Sequence, residues 1–355
     1  MNKNIIIAAT AVGILLPASS VFAAKVLDEK LEIYGKVHVS IDSSDRDDPS
    51  VTNDGVGVSS NSSRLGFKGQ LPAGNMKFIY QVESEIRFDE GKSGSTLAGR
   101  NTYAGLKGGF GQIIVGQYDT PFKTVASKWG LFGDSVGERR AILGASYSDG
   151  NQLNERAKNA IMYTYKTKTL VFDAMYANDP EKSTSGGTDN IDKNMFSVSL
   201  RYKSGPLWLG VASESWEGQS KAGNVDALRV GAKYKFGMAQ IGAFYESIDS
   251  SDKAQWKRDA TGLNAKFKIS KKTDIRVQYL VVDDADGTTD TGATKVSFGI
   301  FHKLDKKAQV YLAYGATDND ANAKFQAVDG GHGDEVKTVN GGNPSAISLG
   351  LIYKF

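Results

Sequence analysis

Ile347, Leu349, Leu351, Tyr353 and Phe355 take every second position in the last ten residues, so an extended segment there is apolar on one face and closes on two aromatic rings. A strand of this kind suits a bilayer crossing, which needs about 9–11 tilted residues with aromatics at the interface. The same period of two recurs at the other end of the chain. Leu31, Ile33, Gly35, Val37, Val39 and Ile41 alternate with Glu32, Tyr34, Lys36, His38 and Ser40. Met76, Phe78, Tyr80, Val82, Ile86 and Phe88 alternate with Lys77, Gln81, Glu83, Glu85 and Arg87. A soluble sandwich would bury such faces against a second sheet, whereas a membrane barrel turns them to lipid and keeps the polar face on a wet lumen.

The N-terminal segment supports export. Met1-Asn2-Lys3 is a short basic start, Ile5 to Leu16 is apolar, Pro17 breaks the run, and Val21-Phe22-Ala23 offers compact residues for cleavage. The run falls short of the roughly 20 residues a spanning helix needs. The reading is a signal peptide over 1–23, cleaved after Ala23, followed by a single barrel domain over 24–355. No helical run of spanning length follows, so membrane crossing must be by strands.

Charge is nearly balanced, with 43 Lys and Arg against 40 Asp and Glu, which gives no electrostatic case for nucleic acid. There is no cysteine, so disulfides and thiolate metal sites are excluded. An exported chain of this size then needs another source of stability, and a sheet closed on itself supplies one.

Sixteen strands are expected, near 31–41, 60–70, 75–88, 99–107, 111–118, 157–166, 169–178, 193–204, 206–216, 225–236, 238–249, 260–270, 273–284, 293–304, 307–318 and 345–355. Tight turns such as Lys107 to Gly111, Gly205-Pro206 and Lys271-Lys272 alternate with long polar segments near 42–59, 89–98, 119–156, 179–192, 217–224, 250–259, 285–292 and 319–344. Short turns on one rim and long loops on the other are the asymmetry of outer-membrane barrels, whose short turns face the periplasm. The fold class is therefore all-β, a 16-stranded antiparallel transmembrane β-barrel in the cell outer membrane.

The third long segment carries Pro121, Phe122, Trp129, Leu131 and Phe132, too apolar to wave in water, and is expected to fold inward onto the lumen wall. Several motifs together resemble the general diffusion porins of Gram-negative outer membranes. They are Leu31-Glu-Ile-Tyr-Gly-Lys-Val37, Ser63-Arg-Leu-Gly-Phe-Lys-Gly69, Arg100-Asn-Thr-Tyr-Ala-Gly-Leu-Lys107 with Gly109-Phe-Gly111, Trp129-Gly-Leu-Phe-Gly-Asp134 and the terminal Phe355. The resemblance implies passive passage of small hydrophilic solutes and ions, filtered between the third loop and a basic barrel wall. Carried over, the wall positions are Lys36, Arg64, Arg100 and Arg156. Strand parity independently places Lys36 and Arg64 on the lumen side. The acidic loop positions are Asp134 and Glu138, with Asp119 at the loop's base. Arg139, Arg140, Lys123 and Lys128 depart from a purely acidic loop and leave the charge preference open. The resemblance also implies a homotrimer, with the second loop near 89–98 reaching toward a neighbour. Further implied partners are outer-membrane lipid and lipopolysaccharide, and the barrel assembly machinery, which would read Phe355.

His38, His302 and His332 are scattered, and nothing resembles a metal site or a Ser/His/Asp set, so neither enzyme activity nor a cofactor is expected. The acidic runs around Asp42 to Asp48 and Asp283 to Asp290 lack calcium-loop spacing and read as solvated charge. Trp208, Tyr202, Tyr176, Phe172, Tyr234, Phe236, Phe267, Tyr311 and Tyr314 read as interface girdles. Two rivals remain: a sugar-specific channel, which would want aromatics inside the lumen, and a structural or adhesive barrel, which would want a filled one.

Overall fold

The computed structural model describes residues 24–25, 29–51, 55–89, 97–147, 153–180, 193–219 and 223–355. The expected signal peptide and its cleavage position, and most of the second loop, lie outside the described residues. The alternating segments form β1 (Glu32–Asp45), β2 (Val56–Ser60 and Arg64–Ala73), β3 (Met76–Glu85), β4 (Thr102–Gly108) and β5 (Gly111–Asp119). The wall continues through β6 (Arg156–Lys166), β7 (Leu170–Asn178), β8 (Asn194–Ser204), β9 (Leu207–Gln219), β10 (Gly223–Phe236) and β11 (Ala239–Ser250). It ends with β12 (Arg258–Lys268), β13 (Thr273–Val282), β14 (Ala293–Lys303), β15 (Ala308–Asn319) and β16 (Ser345–Lys354).

The sheet counts eighteen segments. Ala24–Lys25 is a short pairing on β1, and the two pieces of β2 both pair with β1, so the wall has sixteen strands. Each strand pairs antiparallel with the next, and β16 pairs with β1 through Ile352 opposite His38 and Leu349 opposite Ile41. Closure leaves no unpaired edge, which a bilayer would not tolerate.

The two faces differ as the alternation demands. Leu349 is 59% exposed while the adjacent Ser348 is 1% exposed, because the first points to lipid and the second into the barrel. Two aromatics expected in the girdles, Trp208 and Tyr311, instead face inward. Tyr311 stacks on Phe301 at 5.1 Å and its hydroxyl lies 2.8 Å from His38, while Trp208 lies under the Lys233 ammonium. Nearness to a strand end does not set the face; parity does, and Tyr311 has the opposite parity to the exposed Tyr314.

The chain end seals the seam. Gly35 N–H donates to the Phe355 carbonyl at 3.0 Å, and Phe355 N–H donates back to the Gly35 carbonyl at 3.1 Å. The terminal ring lies over Gly35 so closely that a β-carbon there would come within 2.3 Å of it. Gly35→Leu is therefore expected to lift the ring and lower the yield of heat-resistant barrel in refolding assays, whereas the same change at the unobstructed Gly109 leaves it unaltered. Equal yields would show that Phe355 packing does not serve closure.

The third loop, between β5 and β6, folds inward as the sequence implies. Its start is a helix, α1 (Pro121–Trp129), with Pro at its first turn and the Thr120 hydroxyl capping Lys123 N–H at 3.1 Å. Phe122, Val125, Ala126 and Trp129 fall on one helical stripe and are fully buried against the inner face of β7 to β10. The loop then crosses the inner wall, held by Asn264, Arg276 and Gln278, which donate to the carbonyls of Trp129, Leu131 and Gly137. Wall glycines make room: a β-carbon at Gly315 would lie 2.1 Å from the Val136 carbonyl oxygen, and one at Gly262 2.9 Å from the Trp129 ring.

Candidate functional site

With the third loop covering the inner face from β7 round to β15, the polar residues of β1 to β6 face it across the remaining lumen. Lys36 lies at the centre. Its ammonium is 2.6 Å from one carboxylate oxygen of Asp134, and the Arg64 guanidinium is 4.0 Å from the same oxygen. Arg140 holds the other oxygen at 2.8 Å. Asp134 adopts φ +59°, a left-handed conformation that Asp tolerates better than most residues, at the loop's tip.

Glu138 is placed behind that tip. It accepts from Asp134 N–H at 2.8 Å and pairs with Arg139 at 2.6 Å and Arg140 at 3.4 Å, so it braces the loop and does not reach the wall. The expected arginine ladder divides its partners. Arg100 is buried just ahead of β4 and binds Glu83 at 2.8 Å, with Glu85 at 3.7 Å. Arg64 also lies 3.6 Å from Glu83. Arg156 opens β6 and shares Asp119, the last residue of β5, with Lys123 of α1, at 3.3 and 2.8 Å. The side chains of Arg64 and Arg156 remain 24% and 23% exposed against 7% for Arg100, so the first two present accessible surface to the lumen.

The structure brings Lys36, Arg64, Asp134 and Glu138 into one cluster with Arg140, and sets Arg156 with Asp119 in a second. Sequence reasoning did not single out Glu83 or Glu85. Both share the lumen parity of Gln81 on β3, and that was the available signal. It also missed the eighth loop, between β15 and β16, which folds inward over the break in β2. There Ser62 Oγ donates to the Gly331 carbonyl at 2.9 Å, Gly333 N–H donates to Asn61 at 2.9 Å, and His332 lies 3.2 Å from Asp42. Loops three and eight bound a vestibule of about 1200 Å³ on the long-loop side, against Arg87, Arg100, Gln117 and Arg156 of the wall.

The charge states follow from the packing. Burial alone would raise the Asp134 carboxyl, but Lys36, Arg140 and Arg64 outweigh it and hold it well below the usual carboxylate range. Glu138 is buried too, and Arg139 and Arg140 likewise keep it low. Burial pushes the Lys123 ammonium down to about 8 despite the Asp119 carboxylate. Above that pH the ammonium loses its proton and the vestibule loses a positive charge. The reversal potential in a salt gradient is expected to move toward the cation side between about pH 7 and 9, and Lys123→Met to reduce the movement. A flat profile in the parent protein would place Lys123 outside the ion path.

The chain matches the family described as Gram-negative porin over residues 8–322. It is 26% identical over 317 residues to outer membrane porin protein 32 of Delftia acidovorans, covering 84% of this chain and 86% of that one. It is 25% identical over 291 residues to a monosaccharide porin of a Halomonas species, covering 79% and 67%. Among solved structures, the anion-selective porin from Comamonas acidovorans superposes with a TM-score of 0.73 at 20% identity, covering 92% of this chain and 99% of that one. The trimer form of OmpT from Vibrio cholerae gives 0.67 at 19%, with coverage of 92% and 99%.

A closed barrel with a lipid-facing apolar belt and a loop folded into a polar lumen defines a β-barrel channel of the outer membrane. The chain belongs to the Gram-negative porin family and is a pore, not an enzyme.

Proposed function

We propose that the pore passes small hydrophilic solutes and ions by diffusion, with a preference for anions, filtered where Asp134 of the third loop meets Lys36 and Arg64. One observation carries this reading. Around the narrow region the cations Lys36, Arg64, Arg100, Arg139, Arg140, Arg156 and Lys123 outnumber the carboxylates Asp134, Glu138, Glu83, Glu85 and Asp119, and Arg64 and Arg156 keep exposed surface. Charges of one sign in a tight, low-dielectric passage favour counter-ions and disfavour co-ions. The Comamonas neighbour, an anion-selective porin, has a preference of the same sign.

Liposome-swelling rates with uncharged sugars of increasing size test the size filter. A graded fall with solute size is expected; swelling with none of them would remove diffusion through the barrel. A sugar-specific pore is the second reading, favoured by lumenal tyrosines on the same wall: Tyr103 packs edge-on to Tyr118 at 5.4 Å and Tyr34 donates to Glu83 at 2.9 Å. Saturable block of ion current by an oligosaccharide would support it. The proposal includes removal of residues 1–23 on export and assembly as a homotrimer, in line with the trimer form of the Vibrio neighbour. Membrane lipid, lipopolysaccharide and the assembly machinery recognising Phe355 are its surroundings. N-terminal sequencing of the membrane-extracted protein and its mass in detergent test the first two points.

A further inference from the structure

The positive charge of this barrel is unevenly placed. Even-numbered strands run toward the short-turn rim, and from β4 onward each carries a lysine at its final lumen-facing position. These are Lys107 on β4, Lys166 on β6, Lys203 on β8, Lys235 on β10, Lys268 on β12 and Lys303 on β14. Lys354 closes the series on β16, opposite Lys36 in register. Parity with buried inward neighbours fixes the direction: Lys303 lies two positions after Phe301, and Lys268 pairs across the sheet with the buried Asp274. All seven side chains are exposed and none forms an ion pair with a described residue, whereas Lys68 and Lys77 on β2 and β3, and Lys266 on β12, are paired with Glu32, Glu29 and Asp274. Lys233, one step deeper on β10, lies in the field of Lys235, Lys128, Lys266 and Lys203.

The opposite rim has the other sign, with Asp45, Asp47, Asp48, Asp249, Asp283 and Asp286 in or beside the long loops. Neighbouring strands lie about 4.8 Å apart, so lysines on every second strand lie about 10 Å apart. The Debye length at physiological salt is about 8 Å, so adjacent potentials overlap and sum across the mouth. Flexible ammonium groups do not form the rigid fork that selects one planar anion; they act as mobile point charges. A ring of them matches a row of negative charges on a slender chain.

We propose that this lysine collar is a binding site for linear multivalent phosphate anions, which enter the barrel mouth from the periplasmic side and block the pore there. Blocking rests on the pore reading above, but binding does not, so the two can fail separately. The probe is inorganic tripolyphosphate. In planar bilayers, each channel's orientation can be read with Ser50→Cys, since Ser50 is exposed in the first long loop and the chain has no other cysteine.

Tripolyphosphate added on the short-turn side is expected to block at a concentration at least about tenfold lower than on the loop side, and the block to weaken steeply as salt is raised. The combined variant Lys203→Gln, Lys235→Gln, Lys268→Gln and Lys303→Gln is expected to raise the half-blocking concentration on that side by more than about tenfold while leaving block from the loop side unchanged. Equal block from both sides, or an unaltered variant, overturns the proposal. Calorimetric titration of the detergent-solubilised protein reads binding without current. Heat of tripolyphosphate binding that disappears in the variant supports the collar even if the protein conducts nothing; heat that persists unchanged in the variant overturns it.

Discussion

Trp129→Ala is expected to release the third loop from the barrel wall and raise single-channel conductance. Trp129 is fully buried, packs on Phe244 at 4.9 Å and anchors the end of α1, while Asn264 holds its carbonyl. Truncating a buried tryptophan costs about 3–5 kcal/mol, of which a cavity in close-packed surroundings is part. That energy raises the undocked population by about a hundredfold or more. The wall itself does not depend on α1, because sixteen strands pair without it, so the variant is expected to remain a heat-resistant barrel. The readouts are mean conductance and current noise in planar bilayers. A variant with parental conductance and noise would mean that loop docking does not limit the passage.

Combining Arg64→Gln with Arg100→Gln is expected to raise the cation-to-anion permeability ratio. Arg64 keeps 24% of its side chain exposed on the lumen side. Arg100 acts through Glu83, whose carboxylate it binds at 2.8 Å; without either arginine that carboxylate is left uncompensated at 5% exposure. A unit charge about 4 Å from an ion is worth about 1 kcal/mol in water, which is roughly a fivefold change in the ratio before salt screening. The sign is the sharper test, since loss of the cations and the unbalanced charge of Glu83 act in the same direction. Adding Glu83→Gln to the pair is expected to restore part of the original ratio. An unchanged reversal potential in the double variant would remove both arginines from the filter.

The barrel was legible because a strand with lipid on one side and water on the other alternates chemically at every position. That signal located all sixteen strands, often to within two residues, as with 225–236 against Gly223–Phe236. The helix of the third loop carries a signal of its own, in the spacing of Phe122, Val125, Ala126 and Trp129 behind Thr120-Pro121, but that period differs from the period of two that marks the strands. Partner choice was not legible. Alternation says that Arg100 lies near the lumen, but its pairing with Glu83 depends on how β3 and β4 register, and periodicity does not encode register. Glu138 shows the same limit: its place in the third loop is clear from the chain, but its turning back onto Asp134 N–H depends on the left-handed backbone at Asp134. The inward fold of the eighth loop carried a signal like that of the third, in Phe325, Val328 and Val336, all now buried.

The most direct test of the anion-preferring filter is the zero-current potential of the unmodified protein in a planar bilayer separating concentrated from dilute potassium chloride. The excess of cations around Lys36, Arg64 and Arg156 predicts a potential of the sign set by chloride permeating faster than potassium. A potential of the opposite sign, or none, would contradict it.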